Sequence, residues 1–189
     1  MYDLIFYLEL GLFHVLDWSA IDHMLFLCAL TVVYNFKDFK TVFWIVTFFT
    51  FGHTFSLILS AFDLFKPPAQ LIEFLIPATI ILTSIYNIVK YKNSNSSFFE
   101  YGFSIFFGLI HGFGFGNYFN QISFPLESKV APLVGFSFGV EFSQLIIVLI
   151  IFIANFLVMK TFNVQHTKYI TMVSIFIVGF SFNMILNSF

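Results

Sequence analysis

The chain contains no arginine and one cysteine, Cys28, among its 189 residues. A single cysteine excludes an intrachain disulfide and a zinc site built from several thiolates. Charged residues make up 10% of the chain and hydrophobic residues 59%, whereas a soluble domain carries roughly 25% charged residues. This composition indicates a protein whose solvent is lipid. The net charge of -2 indicates no nucleic-acid partner.

Long apolar runs predict an all-α integral membrane protein, because lipid offers no hydrogen-bond partner to exposed backbone. We expect a single transmembrane domain over residues 1–189, beginning with a short helix over 1–16 that is interfacial or partly inserted. No basic N-terminal region or Ala-x-Ala site is present, so we expect no removable signal peptide. Six transmembrane helices are predicted at about 20–36, 41–61, 69–89, 98–122, 130–159 and 167–186.

Lysines are distributed unevenly between the ends of these predicted spans. Lys66 and Lys129 fall on one side of the membrane, each near an acid. Because cytoplasmic loops are enriched in lysine, the side with more lysines is predicted to be cytoplasmic. The localisation expected is therefore a bacterial-type inner membrane, crossed several times. The lysines of the cytoplasmic side are Lys37, Lys40, Lys90, Lys92, Lys160 and Lys168.

Histidines and acids interrupt five of the apolar segments. At about 1.5 Å per helical residue, they lie roughly 18–27 Å from the cytoplasmic ends of their spans, within a core of about 30 Å. This shared depth predicts one site in the outer half of the bilayer. The alternative is that each is a separately satisfied polar residue at a helix contact. The candidate ligands are His14, Asp22, His23, His53, His111 and Glu141.

A divalent transition metal is the cofactor or cargo that these residues indicate. An acid at the centre of a span costs about 2.5–3.5 kcal/mol, and no arginine is present as a partner. Imidazole with carboxylate suits nickel, cobalt, zinc or copper. Asp22 and His23 point about 100° apart on a helix, so they need not both be ligands: one can bind the metal while the other orients it, and the alternative for Asp22 is a helix cap. Asp17 is interpreted as a helix cap. Supporting roles are assigned to Glu73, Ser56, Gln144 and Asn87.

Four blocks of sequence carry these residues: His14 with Asp22-His23-Met24-Leu25-Phe26, Phe51-Gly52-His53-Thr54, Phe107-Gly108-Leu109-Ile110-His111-Gly112-Phe113-Gly114-Phe115, and Phe136-Ser137-Phe138-Gly139-Val140-Glu141-Phe142-Ser143-Gln144. In this order they resemble the HupE/UreJ family of membrane proteins. The resemblance implies a nickel or cobalt permease associated with hydrogenase or urease maturation. The chain departs from the family pattern where Ala20 replaces a glycine, Ser137 an asparagine and Ser143 a glycine.

Three functions stay open from the residues alone. A metal permease is favoured, and it would need an inner half-path lined by Thr83 and Asn87, since few other polar residues lie in the cytoplasmic half. An intramembrane metal-dependent hydrolase acting on a lipid or membrane peptide is the second, although no His-Glu-x-x-His motif is present. A non-catalytic scaffold is the third. No catalytic residue is assigned, and homo-oligomer formation is left open.

Overall fold

The computed structural model of the protein describes residues 2–17, 20–90, 97–123 and 129–187. Over these ranges every regular element is helical, which confirms the all-α prediction. A short 3-10 turn, Phe36–Asp38, precedes the third helix. The seven α-helices in these ranges are α1 (Tyr2–Leu16), α2 (Ile21–Thr31), α3 (Phe39–Ala61), α4 (Ala69–Lys90), α5 (Ser97–Ser123), α6 (Val130–Phe162) and α7 (His166–Asn187).

Four helical segments are long and apolar enough to cross a bilayer, which makes the chain a multi-pass membrane protein in contact with lipid. They are 36–61, 69–89, 130–162 and 166–187. α1 and α2 would form a fifth span as a broken pair bent by 72°. α5 is not among the four, although its 27 residues extend about 40 Å. The count of six spans therefore stays a prediction.

The predicted first span over 20–36 is wrong in its length. α2 has 11 residues and extends only about 16 Å, roughly half of a 30 Å hydrocarbon core. The chain starts a new element because Asn35 and Asp38 form a capping box. The Asn35 side chain accepts from the Lys37 amide at 2.9 Å, and the Asp38 carboxylate accepts from the Asn35 amide at 3.1 Å.

Short connections end the other helices for local reasons. Asp63 and Asn163 adopt φ of 57° and 47°, the left-handed region in which a helix cannot continue. Pro67 and Pro68 follow the first of these, and the Pro68 carbonyl accepts from the Leu71 and Ile72 amides at the start of α4. The helices that these connections join are not packed on each other: α3 packs chiefly against α5, and α4 against α7.

α3 and α5 pack with their backbones in contact, through glycines on both helices. A Cβ atom added at Gly108 would overlap the Phe49 carbonyl oxygen, and one at Gly112 would overlap the His53 carbonyl oxygen. Gly52 on α3 faces the Ile105 carbonyl in the same way. Small residues permit this approach, which is a common basis of helix association in membranes. The contact places His53 and His111 on one tightly packed pair of helices.

α1 and α6 form a second glycine-mediated pair. A Cβ at Gly11 would overlap the Phe136 carbonyl oxygen, and one at Gly139 would overlap the Leu8 carbonyl oxygen. α1 therefore runs along α6, which supports the partly inserted alternative for this helix. Gly135 lies against Leu4 and Gly139 against Leu8, so the two helices are parallel, and the last turn of α1 carries His14 away from the Lys129 end of α6.

Candidate metal centre

Three histidines from three different helices meet at one point. One ring nitrogen from each of His14, His23 and His53 lies within 4.8 Å of the others. The ring centroids of His14 and His23 are 4.7 Å apart, and those of His14 and His53 are 6.2 Å apart. Ligand atoms of one tetrahedral ion with bonds of about 2.1 Å lie roughly 3.4 Å apart. A side-chain movement on the order of 1 Å would therefore complete a shared site.

His111 is a fourth imidazole beside this group. Its ring centroid is 5.8 Å from that of His23, and the residue is 2% exposed. Its Nδ1 lies 2.9 Å from the Phe107 carbonyl oxygen, one helical turn earlier. Because a carbonyl only accepts, this contact assigns the ring proton to Nδ1 and leaves the Nε2 lone pair free. We refer to His14, His23, His53 and His111 as the histidine cluster.

Five ring nitrogens of the histidine cluster are buried and have no hydrogen-bond partner among the described residues. Buried polar atoms are normally paired, and each unpaired one costs about 1–3 kcal/mol. Separate helix contacts would have given these histidines partners. A metal ion would use one lone pair from each ring, so the donor set fits a divalent transition metal. The atoms are His14 Nε2, His23 Nε2, His53 Nδ1, His53 Nε2 and His111 Nε2.

Asp22 orients His23. One oxygen of the Asp22 carboxylate accepts from the His23 backbone amide at 2.9 Å and lies 3.1 Å from His23 Nδ1. This contact places the proton on Nδ1 and leaves Nε2 as the donor atom toward the cluster. A carboxylate behind a ligating imidazole is a common arrangement that fixes the ring and raises its basicity. The geometry therefore favours His23 as the ligand and Asp22 as the orienter.

Two cavities reach the histidine cluster from the end that carries Lys129. One, of about 440 Å³, is lined by His14, Asp22 and His23 together with Asp17 and Tyr118. The other, of about 200 Å³, is lined by the same three residues together with Glu73 and His111. Sequence reasoning took Asp17 for a helix cap, but the residue before α2 is Ala20 and makes no side-chain cap. The sequence did contain a signal that Asp17 lies near the cluster: it follows His14 by three residues, about one helical turn.

Glu141 and Gln144 lie outside the histidine cluster. The Thr47 hydroxyl donates to Glu141 at 2.6 Å, and the Thr50 hydroxyl donates to Gln144 at 3.0 Å. Thr47 precedes His53 by six residues on α3, about 9 Å along the helix axis. Gln144 thus bonds about 4.5 Å along α3 from His53, and Glu141 about 9 Å from it, so neither joins the cluster.

Ser56 and Asn87 also lie away from the cluster nitrogens. The Ser56 hydroxyl donates to the His53 carbonyl at 3.0 Å, in the contact with Gly112. The Asn87 amide nitrogen donates to the Ala29 carbonyl at 2.6 Å, linking α4 to α2 at the end opposite the cavities. Ser56 supports helix packing, whereas Asn87 belongs to a different cavity.

A layer of three phenylalanines closes the histidine cluster on its other side. The Phe26 and Phe49 ring centroids lie 4.9 and 5.3 Å from that of His111. Phe26 is 4.7 Å from Phe49 and 6.0 Å from Phe107. All three are at most 3% exposed. We refer to them as the phenylalanine layer.

Beyond the phenylalanine layer lies a cavity of about 230 Å³, here called the Asn87 cavity. Its polar lining comes from Tyr34, Thr83, Tyr86, Asn87 and Glu100, and its apolar lining includes Phe107 of the layer. Thr83 and Asn87 thus line one cavity, as the sequence led us to expect of a permease. Glu100 was missed, although an acid in the first turn of a glycine-rich helix was a visible signal.

Neither a curated protein nor a solved structure shows significant similarity to this chain. A sequence model of one family, described as HupE / UreJ protein, matches residues 1–188. The match includes every residue of the histidine cluster, both glycine-mediated helix pairs and the Asn87 cavity. The chain therefore belongs to the HupE/UreJ family.

Proposed function

We propose that this protein is a permease for a divalent transition metal ion, with nickel or cobalt as the favoured cargo. The observation that carries the proposal is the set of five buried imidazole nitrogens without partners, shared by four helices. Neutral imidazole donors select nickel, cobalt, copper and zinc over magnesium and calcium, which prefer oxygen. The association of the HupE/UreJ family with nickel and cobalt supports the narrower choice.

The two cavities beside the cluster supply the entry. Asp17 and Asp22 line one of them, and Glu73 lines the other. Carboxylates in a cleft with low-dielectric walls raise the local concentration of cations. The lysine distribution supports placing this end outside the cell and the Asn87 cavity toward the cytoplasm. In this proposal the cargo sheds water as it passes from carboxylate oxygens to imidazole nitrogens.

Uptake by purified protein in lipid vesicles tests the proposal. Nickel or cobalt is added outside vesicles that contain a chelating fluorophore, whose signal reports metal entry. The metal content of the same purified protein is measured separately in detergent. We expect metal entry with the wild type and its loss in His53→Ala and His111→Ala. His166→Ala, at the start of α7 and outside the cluster, is the matched control and should behave as wild type. Equal uptake by vesicles without protein would contradict the proposal.

An intramembrane hydrolase remains a second candidate because two of the three grouped imidazoles, those of His14 and His23, line a cavity together with the Asp22 carboxylate. A metal with three histidine ligands and an open position lowers the pKa of bound water. Asp22 would then be the nearest group to accept a proton. Stoichiometric zinc in a wild-type protein that moves no metal would favour the hydrolase. Transport lost together with metal binding would favour the permease.

A further inference from the structure

The Asn87 cavity is a feature of the structure that the histidine cluster does not use. It lies between α2, α3, α4 and α5, at the end of the molecule where Lys37 and Lys90 lie. The hydrogen bond from Asn87 to Ala29 crosses from α4 to α2 at its wall. Glu100 adds an ionisable side chain to the same lining, and ionisable residues that face a cavity among membrane helices are rare and commonly mark ion paths.

Oxygen atoms supply the polar lining of this cavity. Asn87 is 6% exposed, and its amide nitrogen is held by Ala29, which leaves the amide oxygen as an acceptor. The Thr83 hydroxyl donates to the Thr79 carbonyl at 2.9 Å and keeps its lone pairs. Tyr34 and the Glu100 carboxylate line the same cavity. Burial, with that carboxylate as a further cause, raises the pKa of Tyr34, so the hydroxyl stays protonated.

One carboxylate among neutral oxygens is a weak site for a cation. Borderline transition metals bind carboxylate and carbonyl oxygen less tightly than imidazole. Conduction needs sites that bind well enough to be entered and weakly enough to be left. A metal ion that moves from the four imidazoles to these oxygens therefore passes from a tighter site to a weaker one, from which it can be released.

Phe107 links the two regions. Its ring belongs to the phenylalanine layer and lines the Asn87 cavity, and its carbonyl accepts from His111 Nδ1. A movement of this turn of α5 would change the barrier and the orientation of His111 together. Apolar constrictions of this kind can gate a path by excluding water.

We propose that the Asn87 cavity is a second divalent-cation site, built from the oxygens of Asn87, Thr83 and Glu100, from which the cargo is released. The inference rests on the proposed transport function and adds the place and the chemistry of the exit. The phenylalanine layer separates this site from the histidine cluster. Glu100 is its only acidic member among the residues that line the cavity.

Transport and binding measured on the same variants test this inference. In vesicles, Glu100→Gln should lower the initial rate of cobalt entry by about tenfold or more, as loss of a metal-site partner does. Cobalt binding at the histidine cluster, read from the visible spectrum of the bound ion, should be unchanged. Thr83→Phe, which leaves Glu100 in the sequence but fills the cavity and removes the Thr83 oxygen, should lower the rate similarly. Glu9→Gln, an exposed acid on α1, is the matched control and should match wild type.

Manganese gives a direct readout, because it prefers oxygen ligands. His53→Ala removes the stronger site, so we expect the manganese that this variant binds to lie in the Asn87 cavity. Electron paramagnetic resonance should detect this manganese in His53→Ala and show its loss in His53→Ala/Glu100→Gln. Wild-type rates in both Glu100→Gln and Thr83→Phe would overturn the inference while leaving the permease in place. A lipid acyl chain found in the cavity would also overturn the inference, provided that removing this lipid leaves the initial rate of cobalt entry unchanged. A wild type that moves no metal would remove the permease and this inference together.

Discussion

Two of the sets of polar side chains between the apolar helices differ in whether their hydrogen bonds are made. Along the contact of α3 with α6, Thr47 pairs with Glu141, Thr50 with Gln144 and Thr54 with Ser137, at 2.6, 3.0 and 2.7 Å. We refer to these three pairs as the α3–α6 polar contact. In the histidine cluster, five buried ring nitrogens have no partner among the described residues.

This difference separates a packing role from a binding role. The α3–α6 polar contact satisfies the requirement that buried polar groups be paired, so nothing further is needed to explain it. In the histidine cluster five buried polar atoms are unpaired, they lie close together, and all of them are imidazole nitrogens. Of the two hypotheses that the sequence left open, helix contact therefore fits Glu141 and Gln144, and a metal site fits the histidines.

The largest expected effect is that of His53→Leu. The residue is fully buried, and neither of its nitrogens has a partner, so leucine removes two unpaired atoms at similar volume. We expect metal-free protein to be as stable as wild type or more stable. Metal at 100 times the wild-type Kd should add about 2.7 kcal/mol to wild type and almost nothing to the variant. Thermal unfolding in detergent, with chelator and with cobalt, measures both. A variant still stabilised by cobalt would show that His53 is not a ligand.

Asp22→Asn should have the next largest effect. Asparagine keeps an oxygen near His23 Nδ1 but removes the charge that holds the ring. We expect cobalt affinity to fall by about 10–100-fold, the usual effect of losing a residue that orients a ligand. Titration with cobalt measures it. Glu73→Gln is the comparison, because Glu73 lines a cavity without a hydrogen bond to an imidazole. It should slow metal entry more than it weakens binding, and an equal loss of affinity in both variants would contradict the separate role of Asp22.

Gly112→Ala tests whether the backbone contact positions the cluster. The added Cβ would overlap the His53 carbonyl oxygen and the Ser56 hydroxyl. Overpacking of this kind costs about 1–3 kcal/mol, and separation of α3 from α5 should weaken metal binding as well. Gly102→Ala on the same helix is the matched control, since nothing lies within 4 Å of its Cβ position. Unfolding and cobalt titration of both variants would show whether Gly112 is specifically required.

The sequence identified the right residue types for the site but not all of their positions. His14, His23, His53 and His111 come together because glycines on four helices let two pairs of backbones touch, and small-xxx-small spacing is visible in the sequence. Glu141 does not join the cluster because Thr47 of α3 offers its carboxylate a hydroxyl donor, a long-range contact that the sequence does not reveal. α2 was overextended because an apolar run continues past Thr31, whereas the Asn35 capping box restarts the chain.

The smallest expected effects concern the α3–α6 polar contact. Thr50→Val and Gln144→Met each remove one side of a pair that joins the two helices. Interhelical hydrogen bonds in membranes average about 0.6 kcal/mol in double-mutant cycles, so we expect a coupling of that size in unfolding measurements. Thr171→Val, whose hydroxyl bonds only within α7, is the control. Cobalt affinity should not change in any of these variants, nor in Glu141→Gln. A tenfold loss of affinity in Gln144→Met or Glu141→Gln would place the α3–α6 polar contact within the metal site and remove the distinction between the two sets.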